Sequence, residues 1–354
     1  MGNSDRFPAV TVGGAADLIA GCKGALIVAH TNPDGDAAGS SGALKKLFEA
    51  MGRSAKVVFP TPVPEHVAFL TEGSDTVYTD GEEDGYDKVI AVDVASRAQL
   101  GKLSHLADKT SLMIDHHATG EAFAPYLTVP AASAAGEVIY GIYEELKLRG
   151  LIERDNADIA RCLFAAISAD TGSFKYSNAT PKTFRIAASL TEEVNGADDG
   201  GLSTWDISRL LHDTVTEKDL RINAFVADRI KLFKGGSLAA CLITADDMKD
   251  LGAEERDMGG AIDVVRSLAG VDVALTVRQS MSDPGEYKIS ARSNSDYDVA
   301  DVLLCAFGGG GHRRAAGATF LADSPEQAFT EAIYAFTLDS EEYGKGRCIG
   351  DEQK

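Results

Sequence analysis

Short apolar runs alternate with amphipathic segments over residues 1–190. The runs at 24–30, 87–93 and 111–115 are of the kind found in strands that are buried on both faces of a parallel sheet. Between and after them, apolar residues recur at intervals of three and four, which predicts helices at about 37–51, 133–148 and 156–169. This order of elements predicts an α/β fold with an open, mostly parallel sheet.

The pattern changes after residue 190. A polar, glycine-rich break at 194–201 precedes residues 204–230, whose apolar spacing predicts one long helix. Strands and helices then alternate again, and residues 308–312 are predicted to form a loop. We therefore predict two domains, joined by a helical linker: a larger domain at 1–190, the linker at 191–235, and a smaller α/β domain at 236–354.

The chain has 354 residues and a formal net charge of −20. An acidic surface of this kind repels long nucleic acid and anionic membranes. We therefore expect neither long DNA nor a membrane as a binding partner. An anionic substrate has to be short, and a metal ion or an arginine has to neutralise its charge locally.

The five cysteines are widely scattered and form no C-x-x-C pair: Cys22, Cys162, Cys241, Cys305 and Cys348. Their odd number argues against a disulfide framework, so we expect reduced thiols and a cytoplasmic protein. The N-terminal residues lack the long apolar segment of a signal peptide. No stretch approaches the ~18 uncharged apolar residues that a membrane helix requires.

Polar residues follow the first two buried runs. His30, Asp34 and Asp36 form the pattern H-x-x-x-D-x-D after the first run. N-P-D-G by itself is a turn motif, and its carboxylates can simply cap the next helix. A turn does not require a histidine four residues upstream, however. Asp93 ends the second run, where the simpler alternative is again the N-cap of a helix.

The third run ends at Asp115, His116 and His117. Two histidines beside an aspartate have little structural purpose there, which favours a functional role. Asp170 lies on the apolar face of its predicted helix, where a buried carboxylate is costly unless it has a partner such as a metal. Because open α/β sheets bind ligands at the carboxyl ends of their strands, we expect these groups to form one site.

Together, the candidate metal ligands comprise two imidazoles and four carboxylates: His30, Asp34, Asp36, Asp93, His116 and Asp170. This oxygen-rich set suits Mn²⁺ or Mg²⁺ better than a structural zinc ion, for which thiolates are expected. Six side chains, one of them bridging, can hold two ions and leave positions open for water and substrate. Two metals about 3.5–4 Å apart are a known device for in-line displacement at phosphorus.

Five motifs occur in an order that resembles the DHH phosphoesterase superfamily with its attached DHHA1 domain. They are H-T-N-P-D-G-D, A-V-D-V-A-S, I-D-H-H, A-D-T-G-S-F-K-Y-S-N-A-T and, after S-A-R-S, G-G-G-G-H-R-R-A-A-G. The resemblance covers about residues 20–325 and is strongest for the nanoRNase and pAp-phosphatase branch of these RecJ-like proteins. It implies a larger, mostly parallel-sheet DHH domain and a smaller α/β DHHA1 domain.

The resemblance also implies a role for each candidate residue. One Mn²⁺ ion, or Mg²⁺ in its place, would bind His30, Asp34 and Asp93; a second ion would bind Asp36, Asp93, His116 and Asp170. His117 would face the scissile phosphate, and Asp115 would orient a neighbouring imidazole. The substrate-binding residues implied in the DHHA1 domain are Arg292, Ser293, Gly309, Gly310, Gly311 and His312.

Taken without the resemblance, the glycines at 308–311 are equally well a flexible linker or a loop whose N–H groups cradle phosphate.

The implied function is dinuclear-metal-dependent hydrolysis of short oligoribonucleotides, of 3′-phosphoadenosine 5′-phosphate (pAp), or of both. Cyclic or linear diadenylates and polyphosphate are alternative substrates, and a non-catalytic nucleotide sensor is an alternative of another class. RecJ exonucleases share these motifs but are usually longer, and family II pyrophosphatases lack a matching G-G-G-H domain. The resemblance further implies a homodimer formed through the DHH domain.

Overall fold

A computed structural model describes residues 6–71, 77–153, 156–197 and 199–337 of the chain. The chain divides into two compact units, Met1–Thr214 and Val215–Lys354.

The first unit contains five strands: β1 (Gly24–Val28), β2 (Ser54–Val58), β3 (Lys88–Val92), β4 (Thr110–Asp115) and β5 (Tyr126–Thr128). They form a wholly parallel sheet in the order β2-β1-β3-β4-β5. The sheet confirms the α/β prediction. β1 is buried along its whole length, as its continuous apolar sequence predicts.

The helices of this unit are α1 (Val12–Gly21), α2 (Gly35–Ala50), α3 (Ala135–Leu148), α4 (Ala157–Asp170), α5 (Pro181–Gly196) and α6 (Thr204–Ser208). Successive side chains of β1 point to opposite faces of the sheet. Ala25 and Ile27 join a core with helices α1 to α5, whereas Leu26 and Val28 join a core with the 3₁₀ segment Arg97–Lys109. Because both faces are covered, every residue of the strand is apolar.

Helices α2 and α4 pack unusually closely, because small residues line their contact. A Cβ atom on Gly39 would lie only 2.7 Å from the Cys162 carbonyl oxygen. A Cβ atom on Gly35 would lie 2.4 Å from the Ala169 Cβ. Since the two helices run in opposite directions here, the start of α2 lies beside Asp170 at the end of α4.

Three differences from the predicted elements concern the segment predicted as one long helix, helix α5 and the segment predicted as a loop. The single long helix predicted at 204–230 is wrong: α6 is followed by a π-helical turn at Arg209–Asp213, an extended Thr214, and α7 (Glu217–Arg229). Thr216 begins α7 with a capping box to Asp219, so the sequence does contain a helix start at this point. Helix α5 was not predicted, although Pro181 and the Thr180 cap are typical of a helix N-terminus.

The strands of the second unit are β6 (Lys231–Phe233), β7 (Leu238–Ile243), β8 (Val273–Gln279), β9 (Glu286–Ser293), β10 (Gly310–His312) and β11 (Ala315–Leu321). They form a mixed sheet in the order β10-β11-β9-β8-β7-β6. The third difference lies here, because β10 is a strand within the segment predicted as a loop. The helices after α7 are α8 (Ala245–Asp250), α9 (Ala261–Arg266), α10 (Val299–Phe307) and α11 (Pro325–Thr337).

Four cysteines lie within the described residues, and they form no disulfide with one another. Cys22, Cys162 and Cys241 are buried. Burial raises the thiol pKa of Cys162 to about 11 and that of Cys241 to about 12. Cys348 lies outside the described residues.

No helix in the described part of the chain combines the length and the apolar character that a membrane crossing requires.

Candidate functional site

The sheet order of the first unit brings three polar clusters to one edge. β1, β3 and β4 are parallel neighbours, so their carboxyl ends lie side by side. His30 follows β1, Asp93 follows β3, and Asp115 ends β4. Asp93 has a φ of 56°, a conformation that costs a non-glycine residue about 1–3 kcal/mol and that clusters at functional sites.

A first group of candidate ligands contains His30, Asp34 and Asp93. His30 Nε2 lies 3.4 Å from Asp93 Oδ2 and 3.9 Å from Asp34 Oδ1. His30 Nδ1 lies 2.8 Å from the Thr31 carbonyl oxygen. A proton donated there leaves Nε2 free to coordinate a metal, which is the usual arrangement for a ligating histidine.

A second group contains Asp36, Asp93, His116 and Asp170. His116 Nε2 lies 3.7 Å from Asp36 Oδ2, 3.7 Å from Asp93 Oδ1 and 3.8 Å from Asp170 Oδ2. Burial, against the opposing charge of His116, raises the pKa of Asp170 to about 6. Carboxyl groups gathered this closely resist ionising together, unless a cation balances their charge.

Asp34 and Asp36 also have the structural role that the simpler interpretation of the turn predicts. Asp34 caps α2, accepting from the N–H groups of residues 36 and 37, each at 3.0 Å. The buried Asp36 carboxylate accepts from the N–H groups of Ala135 at 2.6 Å and Gly136 at 3.0 Å, which are the first residues of α3. Helix capping and the predicted metal binding therefore call on the same carboxylates, and the two roles do not exclude each other.

The Asp93 carboxylate is divided between the two groups. Its Oδ2 faces His30 and its Oδ1 faces His116. Oδ1 is buried and accepts no hydrogen bond within the described part of the chain. A buried polar atom of this kind is rare in native structures and calls for an unseen partner. Together with the surrounding imidazoles and carboxylates, it makes this site fit divalent cations.

His117 and Asp115 form a pair beside these groups. His117 Nδ1 lies 2.7 Å from Asp115 Oδ1 and 3.6 Å from Asp93 Oδ1. The hydrogen bond to Asp115 raises the pKa of His117 to about 9. This hydrogen bond favours the protonated imidazole, which is suited to face a phosphate oxygen.

In the second unit, the strand register brings two predicted substrate residues to one face of the sheet. His312 of β10 lies opposite Ala315 of β11, and Ala315 lies opposite Arg292 of β9. Directly opposed residues in antiparallel strands share a face. His312 and Arg292 therefore flank the small Ala315 on the same side of the sheet.

Ser293 does not join them. It is buried on the opposite face, where its Oγ donates a hydrogen bond to the Ser295 carbonyl oxygen at 3.1 Å. Ser290 is the serine that shares the face of Arg292, since it lies two residues away on the same strand. Ser293 was implied by the family resemblance, whereas the alternation of side chains along a strand identifies Ser290 as the serine beside Arg292.

Gly309 and Gly311 have a packing reason in this sheet. A Cβ atom on Gly309 would lie 2.5 Å from the Gly317 carbonyl oxygen, and one on Gly311 would lie 2.5 Å from the Ala315 carbonyl oxygen. Gly311 also has a φ of 143°, a conformation that L side chains rarely adopt. Neither a flexible linker nor an irregular loop describes this strand.

A small cavity of about 80 Å³ lies on the same face. Arg278, Lys288 and Arg292 line it, together with the hydroxyl groups of Thr276 and Ser290. Three cations in one cavity of a chain with a net charge of −20 create a local environment suited to an anion. Arg278 and Lys288 were not predicted as site residues, although each lies on a predicted strand at a position that alternates with other residues of this face.

Two relatives that are similar in sequence along most of the chain have the same name. The chain is 27% identical to the bifunctional oligoribonuclease and PAP phosphatase NrnA of Thermus thermophilus, over 90% of this chain and 91% of that protein. It is 25% identical to the protein of the same name from Bacillus subtilis, over 82% of this chain and 87% of that protein.

A solved structure has a similar fold along almost the whole chain. It is an exopolyphosphatase-related protein from Bacteroides fragilis, with a TM-score of 0.80 and 23% identity. The match covers 94% of this chain and 96% of that one. The sequence model of the DHH family, N-terminal domain, matches residues 25–167, and that of the DHHA1 domain matches residues 235–338. The chain therefore belongs to the DHH family, with an N-terminal DHH domain followed by a DHHA1 domain.

Proposed function

We propose that this protein hydrolyses short oligoribonucleotides and pAp, with two Mn²⁺ ions held in the first unit. Hydrolysis of phosphoester bonds is the activity of its family, and the two relatives described above are named for these two substrates. The observation that carries the proposal is the division of the Asp93 carboxylate between two groups of ligands. A carboxylate placed in this way would help to hold both ions.

The proposed ligands of one ion are His30, Asp34 and Asp93, and those of the other are Asp36, Asp93, His116 and Asp170. When bound, the ions would supply a nucleophilic water at neutral pH and balance charge on the phosphate oxygens. His117, held as a cation by Asp115, contributes positive charge beside the non-bridging oxygens. The N–H groups at the start of α3 fix the direction of the Asp36 carboxylate.

The substrate contacts in the second unit are proposed to come from Arg292 and His312, with Ser290 in place of Ser293. A guanidinium group binds phosphate in a bidentate manner, and a serine hydroxyl on the same face adds a donor. The glycines at 309–311 keep the strand beside these residues free of side chains.

The test is a side-by-side assay of the purified protein with Mn²⁺. Its substrates are dinucleotides to pentanucleotides of RNA, pAp, cyclic and linear diadenylates, and polyphosphate. We expect the highest kcat/KM for short RNA and pAp, and loss of turnover when a chelator removes the metal. A preference for diadenylate or polyphosphate would replace the proposed substrate, and metal binding without any turnover would support a nucleotide sensor.

Arg292→Ala should raise the KM for a dinucleotide by about tenfold, with a smaller change in kcat, because it removes one charge-assisted hydrogen bond of about 1.5–3 kcal/mol. Steady-state kinetics measure both parameters. Arg256→Ala is the matched control, since that arginine is in the same unit and its side chain is 72% exposed. An unchanged KM in Arg292→Ala would remove this residue from the proposed substrate site.

The proposed location is the cytoplasm, where reduced thiols such as those of Cys22, Cys162 and Cys241 persist. A homodimer is part of the same proposal, and light scattering of the purified protein tests it.

A further inference from the structure

A second cavity adjoins the candidate metal ligands of the first unit. Its volume is about 200 Å³. This is several times the ~30 Å³ that one water molecule occupies in the liquid. Asp34 and Asp170 line it, and these residues belong to different ligand groups. The cavity therefore borders both candidate ion positions, and a molecule held there would contact the reacting phosphate.

Two histidines outside the family motifs line this cavity. His66 comes from the 3₁₀ segment Glu65–Thr71 and is exposed. His212 comes from the π-helical turn at Arg209–Asp213 and is half-buried. π-Helical turns are rare and frequently occur at functional sites. Here the turn supplies both Leu211 and His212 to the cavity lining.

A hydrogen bond joins the imidazole of His212 to a buried hydroxyl group. Its Nε2 lies 2.9 Å from the hydroxyl oxygen of Ser168, a fully buried residue. Within the described residues, the Ser168 hydroxyl makes no other hydrogen bond, and donating its proton to Nε2 would satisfy it. Burial, followed by the charge of Lys175, lowers the pKa of His212, which favours the neutral imidazole. With Nε2 as the acceptor, the proton of a neutral imidazole is on Nδ1.

A neutral donor is well suited to this position. It does not compete with metal ions for the carboxylates, as a lysine or arginine would. It offers one N–H group to an acceptor oxygen, and oxygen atoms are what the ribose and phosphate of a nucleotide present.

We propose that this cavity is a nucleotide subsite, in which His212 donates a hydrogen bond from Nδ1 to a ribose or phosphate oxygen next to the scissile bond. This inference rests on the proposed function and extends it to a residue that the motifs do not contain. Ser168 acts as the positioning residue, since it holds the required tautomer. Leu211 and Val67 supply apolar walls to the same cavity.

The test measures binding of adenosine 5′-monophosphate (AMP) to the metal-loaded protein by calorimetry. His212→Ala should weaken AMP binding by about 10- to 100-fold, which corresponds to the ~1.5–3 kcal/mol of a hydrogen bond to a charged group. His212→Asn keeps a donor at the position of Nδ1 and should recover part of the affinity. His212→Gln places its amide at the position of Nε2 and should not.

Two measurements separate a binding role from a structural one. Bound metal and Tm should be unchanged in His212→Ala. His105→Ala is the matched control, because that histidine is in the same unit, away from the cavity, and hydrogen bonded to Tyr78. Inorganic phosphate identifies the acceptor: weaker phosphate binding in His212→Ala indicates a phosphate oxygen, and unchanged phosphate binding indicates a ribose oxygen.

Equal AMP affinity in His212→Ala and the unsubstituted protein would overturn the inference, as would a loss of bound metal in the variant. Turnover is assayed separately. If AMP binds through His212 but no oligoribonucleotide or pAp is hydrolysed, the proposed function fails and the subsite stands.

Discussion

Asp93 combines an uncommon backbone conformation with an uncommon side-chain environment. Its positive φ is one of five at non-glycine positions within the described residues. Its carboxylate is buried among three imidazoles, with Oδ2 toward His30 and Oδ1 toward His116 and His117. The strain and the missing hydrogen bond are both explained if the residue is held for a ligand and not for the fold.

Asp93→Asn should remove most of the bound metal and lower turnover by at least about 100-fold, because the bridging charge is lost while the side-chain volume is kept. Elemental analysis of the purified variant measures the metal, and kcat measures the turnover. Asp17→Asn is the control, since that carboxylate is exposed and pairs with Arg149 at the surface. Normal metal content in Asp93→Asn would contradict the bridging assignment.

Asp170 should make the stability of the metal-free protein depend on pH. Its pKa is about 6 in the folded protein, against an ordinary value of 3.8. The folded state then binds the proton more tightly than the unfolded state, so the free energy of unfolding falls as pH rises from about 4 to about 6. A divalent cation replaces that proton, so metal affinity rises over the same interval.

The increase in Tm on adding Mn²⁺ should therefore be larger above pH 7 than at about pH 5. Differential scanning calorimetry at the two pH values measures it. In Asp170→Asn, the Tm increases at the two pH values should differ by less, because an amide does not titrate. The same increase at both pH values in the unsubstituted protein would count against a metal site at Asp170.

At the level of elements, the close contact between α2 and α4 positions the site. Gly39 lets the backbones approach, and the approach aligns the start of α2 with the end of α4. Asp34, Asp36 and Asp170 are fixed relative to one another by this contact. Packing with no side chain between backbones leaves little freedom for the carboxylates to shift.

Gly39→Ala should destabilise the protein by about 1–3 kcal/mol, because the new Cβ meets backbone atoms that cannot move aside. The nearest are the Cys162 carbonyl oxygen at 2.7 Å and the Ala166 nitrogen at 2.9 Å. Gly21→Ala is the matched control, since nothing lies within 4 Å of its Cβ position. Urea unfolding compares the two variants, and equal midpoints would contradict the proposed role of the contact.

Local patterns in the sequence were enough to predict the buried strands and the grouping of polar side chains at their ends. The continuous apolar runs required burial on both faces, and a parallel sheet then placed His30, Asp93 and Asp115 at one edge. Side chains that face a long-range partner were harder to predict. Nothing local distinguishes Ser290 from Ser293 except the strand period, and nothing local indicates that His212 meets Ser168.

The break between α6 and α7 shows a different limit. Apolar spacing runs through Ile207, Leu210, Leu211 and Val215 as if the helix continued. The capping box at Thr216 is nevertheless visible in the sequence, and it is a better guide to the helix start than the apolar spacing. A helix start within an apolar pattern marks two helices and not one.

For the whole molecule, the net charge of −20 opposes long nucleic acid, while the cations on one face of the second unit favour a short anion. A long RNA brings many phosphates close to the acidic surface, whereas a dinucleotide brings few. Under the proposed function, a preference for short substrates would follow from this repulsion, with no barrier in the fold required.

We expect KM to rise with RNA length, and the difference between a dinucleotide and a long single strand to shrink as salt is added. Salt screens exposed charges over about 10 Å at 0.1 M ionic strength, which weakens long-range repulsion more than close contacts. Steady-state assays at low and high salt measure both effects. A length preference that does not change with salt would assign the selection to sterics.

Two of the three buried cysteines, one in each unit, can report local opening of the structure. Cys162 belongs to the first unit and Cys241 to the second, and the high pKa of each thiol keeps it unreactive while it is buried. Alkylation at either position therefore requires its surroundings to open. Peptide mapping after brief exposure to a thiol reagent would measure local opening in each unit separately. The experiment needs no substitution in the chain and can be done with and without metal.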